Sequence, residues 1–282
     1  MNTQSLYPDY RPVDGLAYYQ GPEIEGVLLD ALAEAGLDPA ALDIDDLAPL
    51  DEFHALGRAA TVALADLAAV EADERVLDIG AGIAGPAHFL AARRGARVTA
   101  LDATPRFCRA AELLTRGAGL ADRVRIVCGD ALALPFADST FDLAWSQAVT
   151  QNIAEKARFI AEAVRVVRPG GRVALFELLA GPGGRLKLPV PWADHHDQSF
   201  LIPGELLREL LEAESLDLVV WNEGPAALET IAAAAHSLPS RPAAGSLGLE
   251  LLMPDFEARM SGLALNVAEQ RIALVQVVAR RK

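Results

Sequence analysis

The sequence predicts an α/β fold built on a doubly wound, mostly parallel sheet, and three observations carry that expectation. Strand-like and helical segments alternate through the middle of the chain. The first strand-like run, Arg75 to Ile79, passes straight into Gly80-x-Gly82-x-x-Gly85, and a helical pattern follows at once. Two further strands close the chain after a long return. Alternation of this kind implies right-handed crossovers, with ligands bound beyond the carboxyl ends of the strands where strand order reverses.

Taken in order, residues 1–25 hold Tyr7, Tyr10, Tyr18 and Tyr19 among Pro and Gly, the composition of an ordered arm, and Tyr18 and Tyr19 are candidates for a pocket lid. Helical spacing runs from Glu23 to Ala35, where Gly36 ends it, and a turn or second helix follows from Asp38-Pro39 to Leu47. Phe53 to Val70 predicts a long helix with His54 and Arg58 one turn apart on one face. Strands are expected at Arg75–Ile79, Arg97–Leu101, Val124–Cys128, Phe141–Ser146 and Arg172–Leu179. Between them lie helical patterns at Pro86–Arg94, Pro105–Ala118, Asp130–Ala137 and Ile153–Val167.

Gly181-Pro182-Gly183-Gly184 then turns sharply before a helix at Pro203–Ala213 and a strand at Leu216–Trp221. Helical patterns at Ala226–His236 and Pro254–Ala268 precede the last strand, Arg271–Val278. A connection this long within a sheet is expected to cover an active site. The organisation expected is therefore an N-terminal helical arm or lid, 1–70, and a core, 71–282, with cover segments 181–202 and 223–270.

Composition narrows the function. A chain of 282 residues with 52% hydrophobic content can bury a sizeable core. Its formal charge of −14 opposes binding to nucleic acid or anionic membrane. No apolar run reaches the ~18 residues of a membrane span, and Met1 to Arg11 has no apolar signal core, so a cytoplasmic protein is expected. Cys108 and Cys128 lack metal-ligand spacing and suit two thiols in a reducing compartment. Small-molecule chemistry is the default, by a monomer or homodimer.

The glycine turn alone fits a nicotinamide or flavin, a methyl donor, or a turn that binds nothing. The neighbouring strand ends are more telling. Asp102 closes the second strand about twenty residues on, where a carboxylate accepts both hydroxyls of a ribose. Gly129-Asp130-Ala131 follows the third strand, placed to read an adenine edge, and Asp78 stands beside the glycines. Three carboxylates near one ligand repel a pyrophosphate and tolerate a sulfonium with an α-ammonium group. A cationic cofactor is expected.

With these residues the sequence resembles the class I S-adenosylmethionine-dependent methyltransferases. Val76-Leu77-Asp78-Ile79-Gly80-Ala81-Gly82 is similar to their glycine motif, Leu101-Asp102 to their ribose-binding acid, and Gly129-Asp130-Ala131 to their adenine-binding segment. Phe141 to Gln147 resembles their fourth strand, and Arg168-Pro169-Gly170-Gly171 the turn before the fifth. The likeness extends toward the ubiquinone/menaquinone C-methyltransferases and the sarcosine/dimethylglycine-type enzymes through Asp51-Glu52-Phe53-His54, Gln151-Asn152-Ile153 and Val190-Pro191-Trp192-Ala193. The resemblance implies a Rossmann-like, seven-stranded, mostly parallel sheet with helices on both faces, an N-terminal helical arm, and a helical cover between the last two strands. It implies S-adenosylmethionine as cofactor, held by Asp78, Gly80, Gly82, Gly85, Asp102, Ala103, Gly129, Asp130, Ala131, Ser146 and Gln147. It also implies transfer of its methyl group to a C, O or N atom of a small metabolite, in secondary metabolism.

The chain departs from the family pattern in one place: Ala148 stands where Ser-Gln-His-Val would put a histidine. An alternative is therefore a methyltransferase-fold enzyme that keeps the cofactor as a structural element and catalyses a cyclisation, rearrangement or elimination. Methyl transfer needs alignment, exclusion of water and, for a protonated nucleophile, a base. Candidates for that base are His195 and His196, in the loop after Trp192, then His54, then Glu177 inside the fifth strand, where an unpaired carboxylate is expensive. Adjacent residues such as Asp194-His195-His196-Asp197 rarely converge on one ion, so no metal is expected. Trp145, Ala148, Asn152, Trp192 and Phe200, with Tyr18 and Tyr19, are the expected substrate-pocket residues.

Overall fold

The computed structural model describes residues 21–238 and 247–282; Tyr18 and Tyr19 lie outside the described residues. Three helices lead, α1 (Glu25–Glu34), α2 (Ile44–Asp51) and α3 (Gly57–Leu67). The alternating block supplies β1 (Arg75–Ile79), α4 (Gly85–Arg94), β2 (Arg97–Asp102), α5 (Pro105–Gly117), β3 (Val124–Cys128), β4 (Phe141–Gln147), α6 (Lys156–Val166) and β5 (Val167–Ala180). It is followed by α7 (Gly204–Ala213), β6 (Leu216–Glu223), α8 (Pro225–Ser237), α9 (Phe256–Ala268) and β7 (Ile272–Arg281).

The strands form one seven-stranded sheet in the order β3-β2-β1-β4-β5-β7-β6. Pairing is parallel from β3 through β5, and β7 lies antiparallel between β5 and β6. The chain steps outward from β1 to β3 and then returns to the other side of β1 with β4. The switch of strand order therefore falls between β1 and β4, where a crevice forms.

Both faces of the sheet are covered, so its central strands are apolar on both sides. Val76, Trp145 and Phe176 pack with Leu64 of α3, Leu90 of α4 and Ile231 of α8. Leu77, Ile79 and Leu175 pack on the opposite face with Phe159 of α6 and Leu207 of α7. A third cluster joins Leu28 and Leu32 of α1 and Leu47 of α2 to Phe107 and Leu114 of α5. Through it the leading helices are docked on the sheet domain.

Three local expectations are corrected. The helix expected from Phe53 begins at Gly57, because Leu56 and Gly57 take φ of 65° and 50°, left-handed values that keep the preceding residues from continuing into the helix. His54 therefore sits in a turn between α2 and α3. No helix spans 130–137: Asp130 Oδ1 accepts from Leu132 N–H at 2.8 Å, an Asx turn that competes with helix. Finally, β5 begins at Val167, since Phe141 pairs with Val167 and Leu143 with Arg172, an irregular register that absorbs Arg168 to Gly171.

Candidate active site

A cavity of about 720 Å³ runs across the carboxyl ends of the parallel strands. Over β3, β2 and β1 it is lined by Gly129, Asp130, Asp102, Ala103, Asp78 and Gly80. Over β4, β5 and β7 the lining becomes Gln147, Ala148, Leu178 and Leu274, and Trp192, Phe200 and α9 form the wall opposite. Asn152, Ala131 and Gly82 also face it.

The glycine turn is fastened to β2. Gly80 N–H and Ala81 N–H both donate to the Leu101 carbonyl, at 2.8 and 3.0 Å. Gly80 and Gly82 take φ of 76° and 57°, values that favour glycine. At Gly80 a side chain would collide with Val149, while at Gly82 it would project into open space. Asp102 is gripped from two directions: Gly82 N–H donates to Oδ2 and Thr104 N–H to Oδ1, each at 2.8 Å. Burial pushes its carboxyl up to about 6 against the pull of these N–H groups. Each oxygen keeps a further lone pair, enough to accept two neighbouring hydroxyls.

Gly85 was expected among the cofactor residues, but it does not line the cavity. It opens α4 against the end of α2, where a Cβ would run into the Asp51 carbonyl oxygen. Its smallness serves helix packing.

A buried polar cluster adjoins the cavity's acidic wall. The His54 imidazole places Nε2 2.8 Å from Glu52 Oε2 and 3.1 Å from Thr61 Oγ1, with Nδ1 3.1 Å from the Ala55 carbonyl. Arg58 donates to Glu52 Oε1 through Nε and lies 3.6 Å from Asp51. Burial would raise the Glu52 carboxyl, but the His54 hydrogen bond, the Arg58 charge and Thr61 outweigh it and hold it at about 2. Asp78 behaves oppositely. Burial, reinforced by the Glu52 and Asp102 carboxylates, pushes it up to about 8. Its Oδ2 finds no hydrogen-bond partner among the described residues.

Several candidates stand elsewhere. His195 and His196 are exposed and do not line the cavity; His195 caps the single 3₁₀ turn His196–Gln198, its N–H donating to Gln198 Oε1 at 3.0 Å. Glu177 is fully buried beneath the loop after β4, where its carboxylate accepts from Ser146 Oγ, Val149 N–H, Thr150 N–H and Thr150 Oγ1. With its acceptor capacity spent on that loop, Glu177 is a structural anchor. Ser146 is turned away from the cavity by the same bond. Trp145 is core and not pocket wall, its Nε1 donating to Gln147 Oε1 at 3.0 Å.

The sequence reading passed over Glu52, which was in view within Asp51-Glu52-Phe53-His54, and over Thr61. It also passed over Met260, Leu263 and Val267 of α9, whose i, i+3, i+7 spacing marks one apolar face turned to the cavity.

Alongside this strand order, a glycine turn after β1 and a ribose-ready acid after β2, residues 77–175 match the family model described as a methyltransferase domain. Among curated relatives, Methyltransferase GfsG of Streptomyces halstedii is 34% identical over 142 residues, 50% of this chain and 48% of that protein. Demethylmenaquinone methyltransferase of Thermobifida fusca is 37% identical over 153 residues, 51% of this chain and 64% of that protein. The chain thus spans less than two thirds of either relative. Among solved structures, the [4+2]-cyclase SpnF superposes with a TM-score of 0.59 at 24% identity, covering 78% of this chain and 79% of the other. That likeness is one of fold.

Proposed function

We propose that this chain transfers a methyl group from S-adenosylmethionine to a small-molecule acceptor. The observation that carries the reading is one continuous cavity with two unlike halves, acidic over β3, β2 and β1 and apolar over β5, β7 and α9. The residues present fit the cofactor. Asp78 Oδ2 is a buried orphan acceptor suited to a cationic group, Asp102 has lone pairs for two ribose hydroxyls, and Gly82 leaves the backbone bare. Gly129, Asp130 and Ala131 would meet the adenine.

The cofactor supplies an electrophilic methyl carbon on a positively charged sulfur. The chain aligns the acceptor and excludes water, and for a protonated acceptor His54 takes the proton. Glu52 and Thr61 orient the ring through Nε2, and a proton taken at Nδ1 would be met by the Ala55 carbonyl. Glu52, held ionised, remains a hydrogen-bond acceptor for the ring at Nε2.

Ala148 supports a second reading, in which the cofactor is structural and the cavity catalyses a cyclisation, rearrangement or elimination; it replaces the family's histidine and lines the cavity. Incubation with methyl-labelled donor and a panel of extracted metabolites separates the two. Label in product supports transfer, and conversion without label overturns it. The reading extends to a cytoplasmic enzyme of secondary metabolism, monomeric or homodimeric, with residues 1–70, 181–202 and 223–270 closing over the sheet and no nucleic-acid partner; its charge of −14 supports the last point. No described helix is long and apolar enough to cross a membrane.

A further inference from the structure

The charges around the cavity are one-sided. Among the described residues its lining includes the carboxylates Asp51, Glu52, Asp78, Asp102, Asp130 and Glu155, and no lysine or arginine. His54, the described histidine of the lining, is already engaged by Glu52.

The cations packed nearby are committed. Arg58 is held by Glu52, by Asp45 at 3.4 Å and by the Ile44 carbonyl. Lys156 donates to the carbonyls of Thr150, Ile153 and Phe200. Arg259 donates to the Pro254 and Val190 carbonyls and to Asp194. Drawing any of them to a ligand would strand buried acceptors, at a cost that a new ion pair does not recover.

The acceptor half is built from different material. Leu178, Trp192, Met260, Leu263, Val267 and Leu274 line it, and the two-sided match of flat indole with flexible thioether suits a bulky apolar body. One polar handle stands at the junction of the halves. Gln147 is 6% exposed, and its Oε1 accepts from Trp145 Nε1 at 3.0 Å and lies 3.1 Å from Thr61 Oγ1. Because the indole nitrogen only donates, the amide orientation is fixed and Nε2 is the atom left over. That Nε2 is buried and has no partner among the described residues. It is a buried donor without an acceptor, on a residue that lines the cavity.

We infer that the acceptor is a neutral, predominantly hydrophobic molecule with an oxygen that accepts from Gln147, and that the cavity rejects acceptors bearing phosphate or carboxylate. The inference rests on the methyl-transfer reading of the same site. An anion entering would meet a lining whose charged side chains are acidic, without a free counter-charge: Arg58 is already taken by Asp51 and Glu52, and Asp102 and Asp130 offer only further negative charge. A neutral acceptor loses only its hydration, which the apolar wall and the Gln147 amide replace.

The test is calorimetric titration of the full chain, first with S-adenosylhomocysteine and then, at saturation, with four matched probes: 1-naphthol, 1-naphthyl phosphate, 1-naphthoic acid and 1-naphthylmethylamine. The expected result is 1-naphthol binding at least tenfold more tightly than the phosphate and the carboxylate. Equal or tighter binding of either anion, tighter binding of the amine, or no binding of 1-naphthol overturns the inference. Absence of S-adenosylhomocysteine binding counts against the cofactor reading instead; the probes are then titrated into the ligand-free protein, where the same ranking is required. A second arm uses Met260→Lys, which sets a cation in the apolar wall. It should raise affinity for 1-naphthyl phosphate at least tenfold while weakening 1-naphthol, and an unchanged phosphate affinity in a folded variant would show that charge is not what excludes the anion.

Discussion

Asp78 should release a proton when the cofactor binds. In the ligand-free protein its carboxyl sits at about 8, raised by burial and by Glu52 and Asp102. At pH 7 such a group is protonated in about 90% of molecules, and a sulfonium or ammonium beside it draws it back toward the ordinary carboxylate range. Binding of S-adenosylmethionine at pH 7 should therefore expel about 0.9 proton from Asp78 and about 0.1 from Asp102, whose carboxyl sits at about 6. Affinity should rise roughly fivefold from pH 7 to pH 8. The assay is titration calorimetry in phosphate and in Tris, whose ionisation enthalpies differ widely, so that the apparent enthalpy reports the proton count. Asp78→Asn should remove most of the buffer dependence and weaken binding. Wild-type binding with the same enthalpy in both buffers at pH 7 would refute the electrostatic argument. Stability carries the opposite sign: a raised folded-state value means that stability is present below pH 4 and lost as pH rises through about 8. Asp78→Asn should accordingly melt higher than wild type at pH 7 without ligand, by on the order of 4 kcal/mol if the site does not relax.

Other substitutions separate chemistry from architecture. His54→Phe should lower kcat by about 10²–10⁴ for an acceptor that must lose a proton, with a smaller change in KM; Glu52→Gln should follow it in steady-state kinetics. Gly80→Ala should both unfold more easily and lose cofactor binding, because the added methyl meets Val149. Gly82→Ala meets open space, so thermal melting should show only the backbone penalty of roughly 1–2 kcal/mol. Glu177→Gln puts an amide NH₂ where four donors converge, and urea melts should show a loss of about 2–4 kcal/mol. His195→Ala and His196→Ala should leave turnover within about twofold, as expected of exposed loop positions.

What the sequence disclosed and what it hid divide along physical lines. Hydrophobic runs and crossover patterns are local, so β1 to β7 were legible to within a few residues except at β5, whose early start depends on a bulge opposite Phe141. Glycine and carboxylate positions at strand ends were legible for a similar reason: topology brings strand ends together whatever the side-chain detail. Asp78, Asp102, Asp130 and Gly82 all reach the cavity. The histidine proposed as base was harder, because loop proximity in sequence does not set direction. His195 and His196 follow Trp192, which does line the cavity, yet the 3₁₀ turn points them to solvent. Glu177 misled in another way. A buried carboxylate demands donors, and four were supplied from the loop after β4, which no pattern within β5 could reveal.

The seam between the leading helices and the sheet domain is unusually polar, and this bears on transplantation between relatives. Asp51 at the end of α2 lies 3.2 Å from His88 of α4, whose other ring nitrogen is 2.9 Å from Thr115 of α5. Arg93 of α4 reaches Asp45 at 2.7 Å, Thr61 of α3 lies 3.1 Å from Gln147, and Gly85 admits the Asp51 backbone. Each partner is specific to the other side. A chimaera that borrowed its first seventy or so residues from a relative lacking these partners would leave His88 buried without its acid and Gln147 without Thr61. Acceptor preference would not move with such a graft unless Gly85, His88 and Gln147 travelled with it. The leading helices and the sheet therefore have to be exchanged together.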